Sequence, residues 1–360
     1  MSKVVFIHLF NDRSGSPKVL SQVINVFRNK NVKTELISRG HKDGFLDNVA
    51  DFHRVVFYER SENKYLTLFY YIISQIYLFF ICLKYWNQDV VFYCNTMMPF
   101  GAALSGKLMA KPVYFHLHET SVKPIILKKF LRWVIRMTAT KIIFVSDYLK
   151  SVEAFKGIRQ QVIYNSLNEE FFKICERKKV RKNRGYFNVL MICSLKKYKG
   201  IIEFFSISYL CLAEKHLKFT LVLNASEREI DVYLKKINIP DNVTIYSRQS
   251  DVSPFLNDAD ILLNLSRPDE CVETFGLTII EGMAYGLPFI VPPVGGPVDI
   301  VSEEKEGYIR SCYETKEITQ LIITLSKNID IYNQLSINAK RRANDFSPKA
   351  FESCIADVLV

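Results

Sequence analysis

Short runs of β-branched and aromatic residues alternate with longer helical segments along almost the whole chain, and this rhythm restricts the fold more than any other feature. "KVVFIHLF", "VKTELIS", "DVVFYCN", "PVYFHLH" and "KIIFVS" stay largely apolar instead of alternating strictly with polar residues. Strands of that kind are buried on both faces, so helices must cover both. The intervening "PKVLSQVINVFRN", "PFGAALSGKLMA" and "KPIILKKFLRWVIRMTA" supply that cover, and the order predicts a parallel, doubly wound α/β sheet. The rhythm pauses at a basic run, Lys173 to Arg184, and resumes with "FNVLMICS", "KFTLVLN", "NVTIYS", "DILLNLS" and "PFIVPPV". A chain of 360 residues is longer than one core usually serves. The expectation is therefore two such sheets, over residues 1–170 and 187–343, with a linker at 171–186 and a cleft between them.

In open α/β sheets ligands bind beyond the carboxyl ends of the strands. The segments to inspect are thus residues 11–17, 116–121, 165–166, 194–200, 247–250, 266–276 and 292–297. Composition narrows the chemistry. Apolar residues make up 49% and charged residues 24%, the balance of a folded protein. The cysteines form no C-x-x-C pair and sit mostly in apolar strings, which reads as buried reduced thiols, neither a disulfide frame nor a zinc site. "MSKVVFIHLF" lacks the regions of a signal peptide, so a cytoplasmic location is expected. A net charge of +11 fits an anionic partner: a phosphorylated small molecule, acidic lipid headgroups or nucleic acid. No recognised nucleic-acid module accompanies it, so nucleic acid is not the expected partner. One segment, Tyr65 to Trp86, approaches membrane-spanning length, but Thr67, Ser74 and Gln75 interrupt it. The leading expectation is a buried core helix, ahead of a helix lying in a membrane surface and of a true span.

Several strand-end segments carry candidate chemistry. In "FNDRSGSPKVL", Asn11, Ser14 and Gly15 lie in a turn before a helix whose free amides suit an anion, although an ordinary connecting turn looks the same. In "YFHLHETS", His116 and His118 share one strand face, with Glu119 just beyond; His118 at the tip can orient a sugar hydroxyl, and no HExxH or cysteine set completes a metal shell. "SLKKYKGI" sets Lys196, Lys197 and Lys199 beside a helix start, which suits a diphosphate without a divalent ion; a solvated basic turn is the plainer alternative.

The most specific stretch is "ETFGLTIIEGMAYGLPFIV", Glu273 to Val291. On one continuous helix Glu273 and Glu281 would stand about 12 Å apart along the axis, too far to share a proton or a metal. They are better placed to hold two parts of one extended ligand. Between them the amides of Phe275, Gly276 and Leu277 fall at a helix start, where a phosphate would bind. The plainer alternative pairs Glu281 with a lysine and leaves Glu273 in solvent.

With these motifs in this order the chain resembles a family 4 (group 1) retaining glycosyltransferase of the GT-B fold, two Rossmann-like domains facing a cleft, over nearly its full length. Glu273 and Glu281 match the family's E-x7-E pair, and "DADILLNLS", "KKYKG", "KIIFVSDYLK", "VIYNS", "PVGGPVDIV" and "SGSPKVL" extend the match. The resemblance implies transfer of a sugar from a nucleotide donor, a UDP- or GDP-sugar, with retention at the anomeric carbon, no catalytic metal and no further cofactor. It implies an acceptor-binding first domain, a nucleotide-sugar-binding second domain, and a final helix within 344–360 that returns to the first. By position, Glu273 and His118 would act at the donor sugar and Glu281 on the ribose. Thr274, Phe275, Gly276 and Leu277 would hold the diphosphate and sugar, Lys199 would neutralise the diphosphate, and Gly15 would approach it from the other domain. The base would lie near Ser247 and Arg248, and the acceptor contacts would be Asn11, Ser14, Glu119 and Asn165. One departure stands out: Ser194 occupies the place of the family's arginine, so Lys196 or Lys197 would supply the second charge, or the diphosphate is held with less.

The expected role is a hexosyltransferase-type enzyme of surface-polysaccharide biosynthesis, such as lipopolysaccharide O-antigen or capsule. It would act on a saccharide or lipid-linked saccharide at the inner face of the cytoplasmic membrane, in peripheral contact with anionic lipid. The alternative is an accessory protein that binds the nucleotide sugar without turning it over.

Overall fold

The computed structural model describes residues 3–40, 44–167, 169–176 and 184–359. The chain divides into two compact units, one of Met1–Asn165 with Phe351–Val360 and one of Ser166–Ala350. Residues 177–183, the centre of the basic run, lie outside the described residues.

In the first unit the chain runs through β1 (Lys3–Ile7), α1 (Gly15–Asn29), β2 (Lys33–Ser38), β3 (Phe52–Val55), α2 (Lys64–Cys82) and β4 (Val90–Asn95). It continues through α3 (Phe100–Leu108), β5 (Val113–Leu117), α4 (Ile125–Thr138), β6 (Lys141–Phe144), α5 (Asp147–Glu153) and β7 (Arg159–Val162). The strands form a 7-stranded sheet in the order β3-β2-β1-β4-β5-β6-β7, with every pair parallel. Winding proceeds outward from β1 to β3, then reverses and proceeds outward from β4 to β7. The two strands at the reversal are strongly apolar, and they pair in register from Lys3 beside Val90 to Ile7 beside Cys94. Phe6 on β1 meets Phe27 of α1 and Tyr93 of β4 at ring separations of 5.4 and 5.2 Å, so the core forms where the winding turns back. At the edges the sequence pattern is less accurate: β3 begins at Phe52, ahead of "RVVFYE", and β7 covers Arg159–Val162, ahead of the end of "QVIYNS".

Helix α2 corrects an expectation, because it is not a core helix. Its buried residues are Tyr71, Ser74, Gln75, Leu78 and Cys82, while its outward positions carry exposed aromatic and aliphatic side chains. The cause lies in α3, whose inner residues Gly101, Ala102, Ala103, Ser105 and Gly106 are small. A Cβ on Gly101 would stand 2.0 Å from the Gln75 carbonyl oxygen, so α2 and α3 touch backbone to backbone. Gly101 N donates to Gln75 Oε1 at 3.1 Å, and Tyr71 Oη donates to the Met98 carbonyl at 2.6 Å. The polar residues that break the apolar string are thus the inward, hydrogen-bonded ones.

The second unit runs through α6 (Glu169–Glu176), β8 (Phe187–Cys193), α7 (Ile201–Leu210), β9 (Leu217–Leu223), α8 (Glu227–Leu234), β10 (Val243–Tyr246) and α9 (Ser253–Asp258). It continues through β11 (Ile261–Leu263), α10 (Leu277–Ala284), β12 (Phe289–Val291), α11 (Pro297–Ile300), β13 (Gly307–Ile309), α12 (Thr315–Lys327), α13 (Ile329–Arg342) and α14 (Pro348–Ala356). Its 6-stranded sheet has the order β10-β9-β8-β11-β12-β13, again all parallel, and winding reverses between β8 and β11. The doubly wound architecture read from the sequence is present in both units. Strand β13 has no counterpart in that reading. Three residues give no periodicity, and Gly307 lies so close to β12 that a Cβ would stand 2.2 Å from the Phe289 carbonyl oxygen. Helix α14 starts in the second unit and ends in the first, where Ile355 and Val358 are fully buried and Lys141 Nζ donates to the Val358 carbonyl at 3.1 Å. Cys82, Cys94, Cys193, Cys211, Cys271, Cys312 and Cys354 are free thiols.

Candidate functional site

Each sheet has one place where adjacent strands are followed by connections that leave in opposite directions, the place where sheets of this kind bind ligands. In the second unit this place lies between the loop after β8 and the loop after β11. Lys199 from the first loop and Glu273 from the second form an ion pair, and Ser266 Oγ donates to the same carboxylate at 3.4 Å. The backbone joins the loops too, since Arg267 N donates to the Tyr198 carbonyl at 2.8 Å. Gly200 makes the approach feasible: it has φ +78°, and a Cβ would stand 2.2 Å from the Leu265 carbonyl oxygen. Burial by itself lowers the Lys199 pKa, but the Glu273 carboxylate more than offsets this and holds it above its ordinary value. The ammonium therefore stays charged at neutral pH.

The other charges of this loop are disposed differently. Lys196 is exposed, and Lys197 stands 3.8 Å from Glu270. Ser194 accepts through its carbonyl from Lys196 N at 2.7 Å. Arg267 does not stand in for the arginine that Ser194 replaces. Its guanidinium donates to Glu203 at 3.0 and 2.7 Å and to Glu270 at 2.6 Å, so its charge is matched within the unit.

The segment around Glu273 departs from the single-helix geometry assumed from sequence. Helix α10 begins only at Leu277, because Gly276 takes φ +111° and turns the chain. Residues 273–275 are instead pinned by Gly295 and Gly296. Gly296 N donates to the Glu273 carbonyl at 2.8 Å; a Cβ on Gly295 would stand 2.3 Å from that oxygen, and one on Gly296 2.4 Å from Phe275 Cα and the Thr274 carbonyl. The glycine pair of "PVGGPVDIV" thus fixes the backbone that presents Glu273, a role its position in sequence does not reveal. The Phe275 ring packs on Phe346 at 6.0 Å and belongs to the core. Thr274 and Leu277 are half-buried, and Glu281 is buried on α10 beside Ile280. At the end of β10, Arg248 N donates to the Ala225 carbonyl at 2.9 Å and its Nε to Asn224 Oδ1 at 2.7 Å. Ser247 and Arg248 therefore sit on the same carboxyl edge of the sheet as Lys199 and Glu273.

The first unit has its own polar cluster at the winding reversal. Asn95, the last residue of β4 and fully buried, donates through Nδ2 to the Ser16 carbonyl at 3.2 Å, and its Oδ1 lies 2.8 Å from His118 Nε2. Since Ser16 O can only accept, the Asn95 amide nitrogen faces it and the amide oxygen faces His118. His118 Nε2 then carries the proton, and Nδ1 holds the lone pair. Burial keeps His118 neutral by pushing its pKa well below the usual value, assisted by His116 and His8. His116 bonds to Tyr93 Oη through Nδ1 at 2.9 Å, and its ring lies 4.4 Å from that of His118. Thr96, immediately after Asn95, takes φ +81°, a strained conformation for a residue with a Cβ. Glu119 accepts from Met97 N at 2.8 Å and His118 N at 3.1 Å, yet burial raises its pKa to about 7. Asn95 is the functional candidate that sequence reasoning missed; the only available signal was a polar residue closing an apolar strand.

The remaining candidates have more local roles. Asn11 donates to Asp47 at 2.6 Å and accepts from Leu46 N at 2.9 Å, which holds the 44–47 turn. Ser14 donates from N and Oγ to Asp12 at 2.9 and 2.5 Å, and Gly15 opens α1. Asn165 is buried, and its Oδ1 has no hydrogen-bond partner among the described residues. Among the described residues no group of three or more His, Cys, Asp or Glu side chains is placed to hold a metal ion.

Comparison with known proteins places the chain among sequences and structures of similar kind. The family model "Glycosyl transferases group 1" matches residues 173–342, most of the second unit and just under half of the chain. N-acetyl-alpha-D-glucosaminyl L-malate synthase of Bacillus anthracis is 25% identical over 185 residues, covering 50% of this chain and 48% of that protein. The match thus spans about half the length of that relative. An uncharacterized glycosyltransferase of Methanocaldococcus jannaschii, MJ1178, is 28% identical over 271 residues, covering 72% of this chain and 70% of its own. The crystal structure of Anabaena Alr3699/HepE in complex with UDP and glucose has the same fold, with a TM-score of 0.79 over 100% of this chain and 99% of that one at 17% identity. Lys199, Glu273 and the glycine pair all fall inside the matched span; residues 173–342 are similar to the glycosyl transferases group 1, in a chain of GT-B fold.

Proposed function

We propose that the protein is a retaining, metal-independent glycosyltransferase that moves a hexosyl group from a nucleoside-diphosphate sugar to a saccharide or lipid-linked saccharide. Its setting would be the assembly of a surface polysaccharide such as O-antigen or capsule, at the cytoplasmic face of a membrane. The observation that carries this reading is the Lys199–Glu273 pair at the winding reversal of the group 1 unit. A donor diphosphate arriving there competes for Lys199 and releases Glu273 to hold hydroxyls of the sugar. UDP is the first nucleotide to try, since HepE is bound to it.

In this reading the bond from the anomeric carbon to the phosphate oxygen breaks as the bond to the acceptor oxygen forms on the same face. The acceptor proton passes to the departing phosphate oxygen, so the protein needs no separate base. It contributes placed positive charge at the leaving group, from Lys199 and the amides of Phe275 to Leu277. Within the first unit, neutral His118 offers its Nδ1 lone pair as an acceptor for a hydroxyl.

A panel of nucleotide sugars scored by thermal shift identifies the donor, because a ligand at a hundredfold excess over Kd adds about 2.7 kcal/mol of stability. Transfer to a lipid extract is then followed with that donor, and the product's anomeric configuration by NMR. Glu273→Ala is expected to lower kcat/KM by about 100-fold or more. Full activity in that variant would remove Glu273 from the site, and an inverted product would overturn retention. A second reading, a binding protein without turnover, is favoured by Ser194 at the arginine position and by the neutralisation of Lys199. Steady release of nucleotide in the presence of acceptor dismisses it.

A further inference from the structure

We propose that the outer face of α2, together with the outer stripe of α4, is a docking surface for an anionic lipid bilayer, with α2 lying along the membrane plane. The first observation is that α2 is amphipathic in the unusual sense. Its inward edge carries Ser74 and Gln75, and its outward edge carries Tyr65, Phe69, Ile72, Ile76, Tyr77 and Phe80, all exposed. A surface helix normally buries its apolar side and shows its polar one. Here the apolar side lacks cover over several turns, which marks an interaction site and not scattered exposure.

The second observation is that α4 continues the surface. Helix α3 packs against both α2 and α4, and an aromatic chain crosses it from Tyr71 to Phe100 at 5.8 Å, Phe100 to Phe130 at 5.1 Å, and Phe130 to Trp133 at 6.1 Å. The exposed residues of α4 are Ile125, Ile126, Lys129, Phe130, Trp133, Arg136 and Met137. Helical spacing of three and four puts these on a single face.

Charge selects the occupant. Neither α2 nor α4 contains an acidic residue. The cations of α4 divide by direction: Lys128 and Arg132 turn inward onto the buried Glu153, while Lys129 and Arg136 stay on the outer stripe with no acidic partner among the described residues. Aliphatic side chains, interfacial aromatics and unpaired cations together fit a headgroup layer over acyl chains, where apolar insertion and attraction to acidic headgroups add.

Length and composition alone would let α2 cross a bilayer. The inner edge argues against it. Tyr71 and Gln75 are committed to Met98 and Gly101, and tearing α2 from α3 would leave those polar groups facing hydrocarbon. The helix therefore lies in the interface, its inner side still on the protein.

Both tryptophans of the chain report on this surface, Trp133 on the α4 stripe and Trp86 just past the end of α2, and both are exposed. The full chain, without donor or acceptor, is mixed with vesicles of phosphatidylcholine alone or with about one third phosphatidylglycerol, then floated while tryptophan emission is recorded. The expected result is flotation with the anionic vesicles and a blue shift quenched by brominated lipid. The partition coefficient should be about tenfold above that for neutral vesicles. Lys129→Glu with Arg136→Glu should abolish that preference, and Phe69→Ser with Ile76→Ser and Phe80→Ser should abolish flotation. These positions are exposed, and circular dichroism checks that the fold is kept. Absence of flotation by the unaltered chain overturns the proposal. So does a lipid-free dimer, seen by light scattering, that the serine substitutions dissociate, since the face would then join two copies. Because no sugar donor is present, this outcome is independent of the transferase reading.

Discussion

A carboxyl group held near neutrality gains and loses its proton in the range where most proteins work, and Glu119 is such a group. Its folded pKa of about 7 exceeds its ordinary 4.5 because burial disfavours the charge more than the backbone amides of Met97, His118 and Glu119 favour it. Between those values the folded state keeps a proton that the unfolded state releases. Stability contributed by the neutral acid is thus complete below pH 4.5 and is lost as pH rises through 7, by roughly 3 kcal/mol. His8, His116 and His118, all depressed by burial, act in the opposite sense and lose stability as pH falls below the usual histidine value. The difference between the chain and Glu119→Gln isolates the acid. Melting temperatures from pH 5 to about 8 should converge or cross as pH rises, with a constant offset from the altered hydrogen bonds. Parallel curves would show that Glu119 does not titrate there. At this scale Glu273, Lys199 and His118 were legible in the sequence because their types and neighbours are distinctive. Asn95 was not, since its partners Ser16 and His118 come from distant segments.

Elements were legible in proportion to their burial. Central strands such as β1, β4 and β8 declare themselves as unbroken apolar runs, whereas β3, β7 and β13 sit near or at sheet edges, where fewer contacts demand a pattern. The start of α10 at Leu277 agrees with the helix start read at Phe275 to Leu277, but the packing of the preceding loop against Gly296 was not legible, because it involves no capping residue. That packing makes a prediction. In Gly296→Ala the new methyl meets the backbone of Thr274 and Phe275, which has no rotamer to change, so the Glu273 loop must move. The expected cost is about 1–3 kcal/mol by urea unfolding, together with weakened nucleotide binding. Gly157→Ala is the control: at φ +80° with nothing within 4 Å, it carries only backbone strain of about 1–2 kcal/mol and should bind normally. Equal binding by the two variants would deny the glycine pair its role. Helix α2 shows the opposite limit, for hydropathy reveals how apolar a helix is but not which edge its neighbour will take.

The whole molecule is two parallel sheets on one chain, and that much followed from rhythm and length. What length cannot disclose is the path of the terminal segment, which depends on pairings such as Lys141 with Val358. Residues 351–360 bury Phe351, Ile355 and Val358 within the first unit's share of the chain. Ending the chain after Ala350 should remove about 4 kcal/mol from that unit, somewhat less than full side-chain burial would give. Trp86 and Trp133 both belong to the first unit, so their emission follows its unfolding without contribution from the second. An unchanged transition in the shortened chain would mean that the terminal segment adds nothing to that unit's stability.

This division of the first unit has a consequence for synthesis. A ribosome delivers residues 1–165 first, then the whole of 166–350, and only afterwards the segment that completes the first sheet's surroundings. The second unit is contiguous and can fold as soon as it has emerged, while the first waits with its final buried positions unfilled. The part of the protein made earliest is therefore the last to be finished, and its exposed aromatic helix is present throughout that interval.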